Sequence, residues 1–250
     1  MGMMKTMKRR LMSAAVAVIF LFALTGCLYP DEQRQAHVRP SQEYITLVQI
    51  AVNQFQEKSG VLPIKNSTME TPIYEKYVID FKKLMERNLL NEPPPNAFES
   101  GGNDYYVLVH VEEEPTVKLM DIAAMQSVID IQRAVDSYRS EHGGRIPAAE
   151  ALTPGWYSID YDLLKMKPLQ IPSPYSVQSL SLMVNEATGD VMIDYSSEMM
   201  KLIQQQGKVS FPEGEDLREL LVQSSPYIPV RSYPYDWNGE RPVPALENQY

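Results

Sequence analysis

Tyr77-Val78-Ile79-Asp80-Phe81-Lys82-Lys83-Leu84 and Tyr157-Ser158-Ile159-Asp160-Tyr161-Asp162-Leu163-Leu164 share the pattern Tyr-x-Ile-Asp-aromatic-x-x-Leu. Its recurrence within one 250-residue chain decides how the fold is read. Upstream of the first copy, Tyr44, Leu47, Val48, Ala51 and Phe55 recur at helical spacing, which predicts an amphipathic helix. Gly60 and Pro63 close it, the glycine supplying a left-handed residue and the proline preventing continuation. Upstream of the second copy, Val128, Ile131, Val135 and Tyr138 repeat the stripe, and Gly143 and Pro147 repeat the stop. Ala51-Val52-Asn53-Gln54-Phe55 thereby parallels Ala134-Val135-Asp136-Ser137-Tyr138.

Downstream of each motif comes a proline-rich loop, 92–96 and 167–174, and then an alternating pair of runs. Residues 105–111 turn through Glu112-Glu113-Glu114-Pro115 into 117–120, and 180–184 turn through 185–189 into 191–195. Both read as β-hairpins. The expectation is an α+β fold of two similar helix-loop-hairpin units, 44–121 and 122–195, related by internal duplication. Units this small are marginal alone, so they should pack on each other. Residues 196–250 differ. Short helices are expected at 199–206 and 216–222, then an extended segment in which Pro226, Pro229, Pro234, Pro242 and Pro244 alternate with aromatics and preclude regular helix.

The other end of the chain has its own signature. Lys5, Lys8, Arg9 and Arg10 precede an apolar run from Leu11 to Ala23, followed by Leu24-Thr25-Gly26-Cys27. A basic head, a short apolar middle and small residues before a processing point make a secretory signal. The run is shorter than the roughly 20 residues a bilayer span needs. Leu-Thr-Gly-Cys resembles the lipobox of bacterial lipoproteins. The resemblance implies cleavage before Cys27, lipidation of its thiol, and a protein anchored in the cell membrane and facing outside the cytoplasm. Residues 1–26 are then the signal and 27–43 a polar tether broken by Pro30 and Pro40. Cys27 is the only cysteine, so no intramolecular disulfide can form.

Phe55-x4-Gly60-x2-Pro63 followed by Pro95-Asn96-Ala97-Phe98-Glu99-Ser100-Gly101-Gly102-Asn103-Asp104-Tyr105-Tyr106 is also similar to the globular part of type II secretion pseudopilins. The chain departs from that family in carrying a lipobox in place of a prepilin leader and in lacking a long assembly helix. Polymerisation is therefore not implied.

Charge narrows the partners. The chain has 23 basic and 32 acidic residues, and loss of the signal leaves 19 against 32, a net charge of −13. Nucleic-acid binding, which needs clustered Lys and Arg, is excluded as an expectation. No catalytic motif is visible: no nucleophile elbow, zinc-protease helix, phosphate loop or calcium loop. Neither a metal nor another cofactor is expected. Of three histidines, His37 lies in the tether, His110 reads as a strand residue, and His142 as a helix cap complementing the dipole.

Two sets of residues remain as candidates. Asp80 and Asp160, with Tyr77 and Tyr157, hold equivalent places in the two copies and could line a ligand or cation cleft between them; the competing reading makes each aspartate an N-cap. Tyr227, Tyr233, Tyr235 and Trp237 form an aromatic tail that could grip a protein partner or lie across its own body. If the tail grips a partner, removing 224–250 should abolish partner recovery and leave the body folded. Residues 96–104, with Gly101-Gly102, read as a flexible connection, and Glu112 to Glu114 as a solvated turn. The functional expectation is a non-catalytic, lipid-anchored interaction module touching the bilayer through Cys27 and an extracytoplasmic protein elsewhere. The alternative is a substrate- or cation-binding lipoprotein.

Overall fold

The computed structural model describes residues 42–207, 210–212 and 214–245. The signal, Cys27 and the tether as far as residue 41 lie outside the described residues. The described chain is α+β. Helix α1 (Gln42–Ser59) and the short α2 (Phe81–Glu86) precede the hairpin β1 (Asp104–Val109) and β2 (Thr116–Asp121). A long helix α3 (Ile122–Glu141) leads to β3 (Ala148–Thr153), β4 (Trp156–Ile159), β5 (Ile171–Pro172), β6 (Ser179–Asn185) and β7 (Val191–Asp194). Helices α4 (Ser196–Gln206) and α5 (Arg218–Ser224) follow, and β8 (Tyr235–Trp237) pairs with β9 (Pro242–Pro244). Among the described residues no helix is long and apolar enough to cross a membrane.

The hairpin β1–β2 joins two cores. Tyr106 and Leu108 on β1 and Val117 and Leu119 on β2 face α1 and α2, packing with Val48, Val52, Phe55, Ile79 and Leu84. Val107, Val109 and Met120 face the other way, against Val128, Ile131 and Val135 of α3 and the sheet beyond it. With both faces covered, β1 reads as a continuous apolar run, as strands buried on two sides do. In the second core β6 pairs antiparallel with β4, β5 and β7, and β3 is added outside β4.

Several local expectations need correction. Helix α1 begins at Gln42, two residues inside the span read as tether. The Asp160 motif does not continue into a helix; residues after it form consecutive turns, whereas α2 follows Asp80. The two spans differ further in sheet content, because three extra strands, β3 to β5, lie in the second. Residues 96–104 are knit into the body: Asn96 donates to Asp104 (3.0 Å) and accepts from the Tyr106 hydroxyl (2.8 Å). A Cβ at Gly102 would sit 2.1 Å from Asn96 backbone atoms. The tail is not uniformly extended, since Asn238 and Gly239 turn β8 into β9.

Several hydrogen bonds recur in equivalent places. Asp80 N–H donates to Pro63 C=O (2.7 Å) and Asp160 N–H to Pro147 C=O (2.8 Å). At the end of α1 the Ser59 hydroxyl donates to Phe55 C=O, and at the end of α3 His142 Nδ1 lies 2.8 Å from Tyr138 C=O. Most telling are Gln49 and Gln132. The Gln49 amide accepts from Val117 N–H (2.7 Å) and donates to Pro115 C=O (2.9 Å). The Gln132 amide accepts from Val191 N–H (2.7 Å) and donates to Gly189 C=O (3.0 Å). Each side-chain amide thus stands in for the missing neighbour of a strand edge, which would otherwise present unpaired backbone groups. The tail closes the next stretch of both edges. Leu119 N–H donates to Pro226 C=O and its own C=O accepts from Ile228 N–H, while Ile193 N–H donates to Arg231 C=O.

These clamps have a measurable weight. Replacing Gln49 or Gln132 by Ala removes two bonds at a half-buried edge that water partly reaches, so about 1–2 kcal/mol is expected for each. The two clamps share no partner, so the double variant should lose about the sum of the single losses. Urea denaturation of both singles and the double checks this.

Candidate functional site

Asp80 is the N-cap of α2, and Asp160 closes the turn that follows it. Asp80 accepts from Lys82 N–H (3.1 Å) and Asp160 from Asp162 and Leu163 N–H (3.0 and 3.1 Å). Of their companions, Tyr77 lines a cleft described below, and the Tyr157 hydroxyl reaches Glu186 (3.5 Å). Each aspartate is engaged by its own turn and its neighbours, and neither lines that cleft.

The aromatic tail lies on its own body. Tyr235 is fully buried; its hydroxyl donates to Asp194 (3.1 Å) and accepts from Tyr195 N–H (3.2 Å). Tyr233 packs edge-on against Trp156, and Trp237 lies against Phe211. Tyr227 runs beside Leu119 in a parallel bridge. Burial is the main reason its hydroxyl, like those of Tyr195 and Tyr235, is held well above the usual phenol range. The expectation that residues 224–250 can be removed from an intact body is therefore corrected.

One cluster has the composition of a catalytic pair and is not one. Lys201 Nζ lies 3.1 Å from Ser176 Oγ, but it also donates to Gln178 (2.6 Å) and Glu198 (3.1 Å). Ser176 gives its own proton to Glu198 (2.6 Å), a buried carboxylate. An amine donating to three acceptors presents no lone pair to a hydroxyl. These four side chains lock the loop 173–178 onto α4. Among the described residues no group of three His, Cys, Asp or Glu side chains is arranged to hold a metal ion.

A cleft lies where residues 73–77, the end of β1 and α5 meet. Its cavity is about 290 Å³, walled by Ile73, Tyr74, Tyr77, Val109 and Val111, with Glu112, Glu113 and Glu219 at its polar side. The fold builds it from distant segments. Residues 73–75 form a 3-10 turn after Pro72. Its Tyr74 ring receives the Arg218 guanidinium at 4.9 Å and its hydroxyl donates to Glu219 (3.4 Å). Its Glu75 accepts from Arg231 N–H (2.7 Å). Arg218 is buried and satisfied, with Asp216 holding Nη2 at 2.6 Å and Ser232 C=O accepting from Nη1 at 2.9 Å. Burial, then the Asp216 charge, pushes the Tyr74 hydroxyl well above its usual range.

His110 sits at the centre of this arrangement and not on the strand. It is the first residue past β1, at φ +52°, and Nε2 lies 3.1 Å from both carboxylate oxygens of Glu219. A left-handed non-glycine residue costs about 1–2 kcal/mol, which the tight turn and the Glu219 contact must offset. Lys118 fixes α5 from the other strand, donating to Val222 and Ser225 C=O (2.5 and 2.8 Å), the placement that suits a helix C-terminus. Desolvation lowers its pKa, opposed by the Glu219 charge.

Sequence reasoning missed this cleft because Tyr74, His110 and Glu219 are far apart in the chain. Its one local signal is Ile73-Tyr74, an apolar pair directly after the polar stretch 65–72. Ile73 remains 54% exposed.

Comparison with known proteins adds one match. Residues 41–121 fit the family model described as the YphF family N-terminal domain. No curated protein and no solved structure matches the chain significantly. The matched span takes in α1, α2, β1 and β2, including every cleft residue except Glu219.

Proposed function

We propose that this chain is a lipid-anchored, extracytoplasmic protein-interaction module with no catalysis of its own. The observation that carries the interaction reading is the cleft of Ile73, Tyr74 and Tyr77, where Ile73 is left half-exposed beside carboxylates on a body whose hairpin edges are closed. Exposed apolar surface rimmed by polar groups is the usual mark of a contact site. The anchor rests on Leu24-Thr25-Gly26-Cys27; acyl chains contribute about 0.8 kcal/mol per buried methylene, so two or three chains hold a protein at the membrane. A ligand gripped between Asp80 and Asp160 has less behind it, since both carboxylates are engaged by their own turns. We further infer that the recurring Gln49 and Gln132 clamps descend from one duplicated helix-loop-hairpin unit.

The test is in-cell crosslinking of the full chain with mass spectrometry, paired with metabolic labelling by an alkyne fatty acid. Wild type should incorporate label and recover a stoichiometric partner. Cys27→Ala should lose the label and, with it, the partner. A chain that takes up no fatty acid, or that recovers no partner above background, overturns this reading.

A further inference from the structure

We infer that the cleft between residues 73–77 and α5 is a docking site for a basic side chain, lysine or arginine, carried on an extended segment of a protein partner. The inference builds on the interaction reading above by naming the contact surface and the chemistry of what it takes.

Three features select that occupant. The first is size: at about 290 Å³ the cavity falls at the small end of ligand pockets, with room for a side chain or two and not for a helix. The second is the wall. Ile73, Val109 and Val111 offer aliphatic surface to the methylenes of a long side chain, and Lys and Arg are the residues whose apolar stems pack while their heads stay polar. The third is charge. Glu112, Glu113 and Glu219 line the cavity, and no lysine or arginine does.

Both tyrosines already engage cations within the protein. The Arg218 guanidinium lies 4.9 Å from the Tyr74 ring centre, and the Lys76 ammonium 5.8 Å from that of Tyr77. The rings are thus of the kind that engages cations, and the carboxylates of the cleft must outweigh the repulsion from Arg218 and Lys76. Glu219 is committed, holding His110 and Tyr74, so it shapes the floor. Glu112 and Glu113 are exposed in the turn after His110, which the chain enters through the left-handed His110 backbone. These two carboxylates are the ones positioned to meet an incoming charge. The net charge of −13 on the processed chain adds long-range attraction for a basic partner.

The probes are fluorescein-labelled octapeptides of Gly, Ser and Leu that carry a central pair of Lys, Arg, norleucine or Glu. They are titrated against the full acylated chain in neutral detergent micelles and read by anisotropy. Lys or Arg peptides should bind and weaken as salt rises; norleucine and Glu peptides should not bind. Glu112→Gln with Glu113→Gln should weaken binding roughly five- to tenfold. Ile73→Ser should weaken it several-fold without lowering Tm, because the side chain is half-exposed. Glu150→Gln with Glu240→Gln, exposed positions outside the cleft, removes equal charge and should change binding by less than about twofold.

Equal losses in the two charge-matched pairs would reduce the effect to net charge and overturn the site. Binding indifferent to Ile73→Ser, or norleucine binding as well as lysine, overturns it too. If a partner is crosslinked in cells but no basic peptide binds, the cleft proposal fails and the module reading stands. If cleft-dependent peptide binding is found and no cellular partner is, the docking chemistry stands and the anchored-module reading fails.

Discussion

A chain ended after Ser224 is expected not to fold. The lost segment supplies Ile228, Val230 and Tyr235, each at most 1% exposed, and burying one such side chain contributes about 1.5–3 kcal/mol. These three alone amount to roughly 5–9 kcal/mol, comparable to the whole stability of about 5–15 kcal/mol expected for a domain. Truncation also uncovers Trp156, against which Tyr233 packs, and leaves Arg218 without its Ser232 carbonyl. Breaking a buried charge network in this way is far costlier than losing its net contribution. It further opens both hairpin edges at Leu119 and Ile193, creating unpaired strand surface that invites aggregation. Expression as insoluble material, or a soluble product without a cooperative thermal transition, is the expected result. A truncated chain that melts cooperatively within a few degrees of wild type would show the tail to be an accessory.

This role of the tail was hidden in the sequence for a physical reason. Prolines 226, 229 and 234 rule out helix, but an extended segment looks the same whether it serves a partner or its own body. What distinguishes them is the acceptor surface, here the outer edges of β2 and β7, and those edges exist only after both hairpins have formed. By contrast, α1 and α3 were legible because one-sided burial writes a 3.6-residue period and Gly60 and Gly143, at φ +71° and +65°, mark their ends. The hairpins were legible from their turns. Asp80 was legible as a cap because capping is local, whereas Asp160, with the same local pattern, closes a turn and no helix.

The sheet added by β3 to β5 was not legible. Ala148–Thr153 has little β-branched content and its pairing with β4 is broken by register shifts, so it owes its conformation to Trp156 and its neighbours. The cleft was least legible of all. Glu219 reaches His110 across 109 positions, and no periodicity encodes a contact of that kind. The span matched by the YphF family N-terminal domain stops short of Glu219, so the cleft is completed by a helix that the matched domain does not contain.

Raising the pH should unfold this protein in one cooperative step beginning just above pH 10. Tyr74, Tyr106, Tyr175, Tyr195, Tyr227 and Tyr235 are all held above the ordinary phenol value, burial being the main cause in each, with Tyr106 pushed up to about 12. An unfolded tyrosine loses its proton near pH 10. Above that pH the unfolded chain binds fewer protons than the folded one, so stability falls as pH rises, and it continues to fall until the folded pKa values are reached. The contribution of these phenols is complete below pH 10. At pH 11 each one has given up about 1.4 kcal/mol, so six remove about 8 kcal/mol, enough to overcome a typical domain's stability. Phenolate absorbance and far-ultraviolet circular dichroism, followed together from pH 8 to 12, should show the late part of the ionisation coinciding with loss of secondary structure. Smooth ionisation near pH 10 with unchanged dichroism would contradict the burial of these rings. Tyr235→Phe sharpens the sign. At neutral pH it loses the hydroxyl bonds to Asp194 and Tyr195 N–H, at a cost of about 1–2 kcal/mol. At pH 11 it also removes one group whose ionisation drives unfolding, a gain of about 1.4 kcal/mol. The penalty of the substitution should therefore shrink toward zero between pH 9 and pH 11, which a simple packing defect at that position would not do.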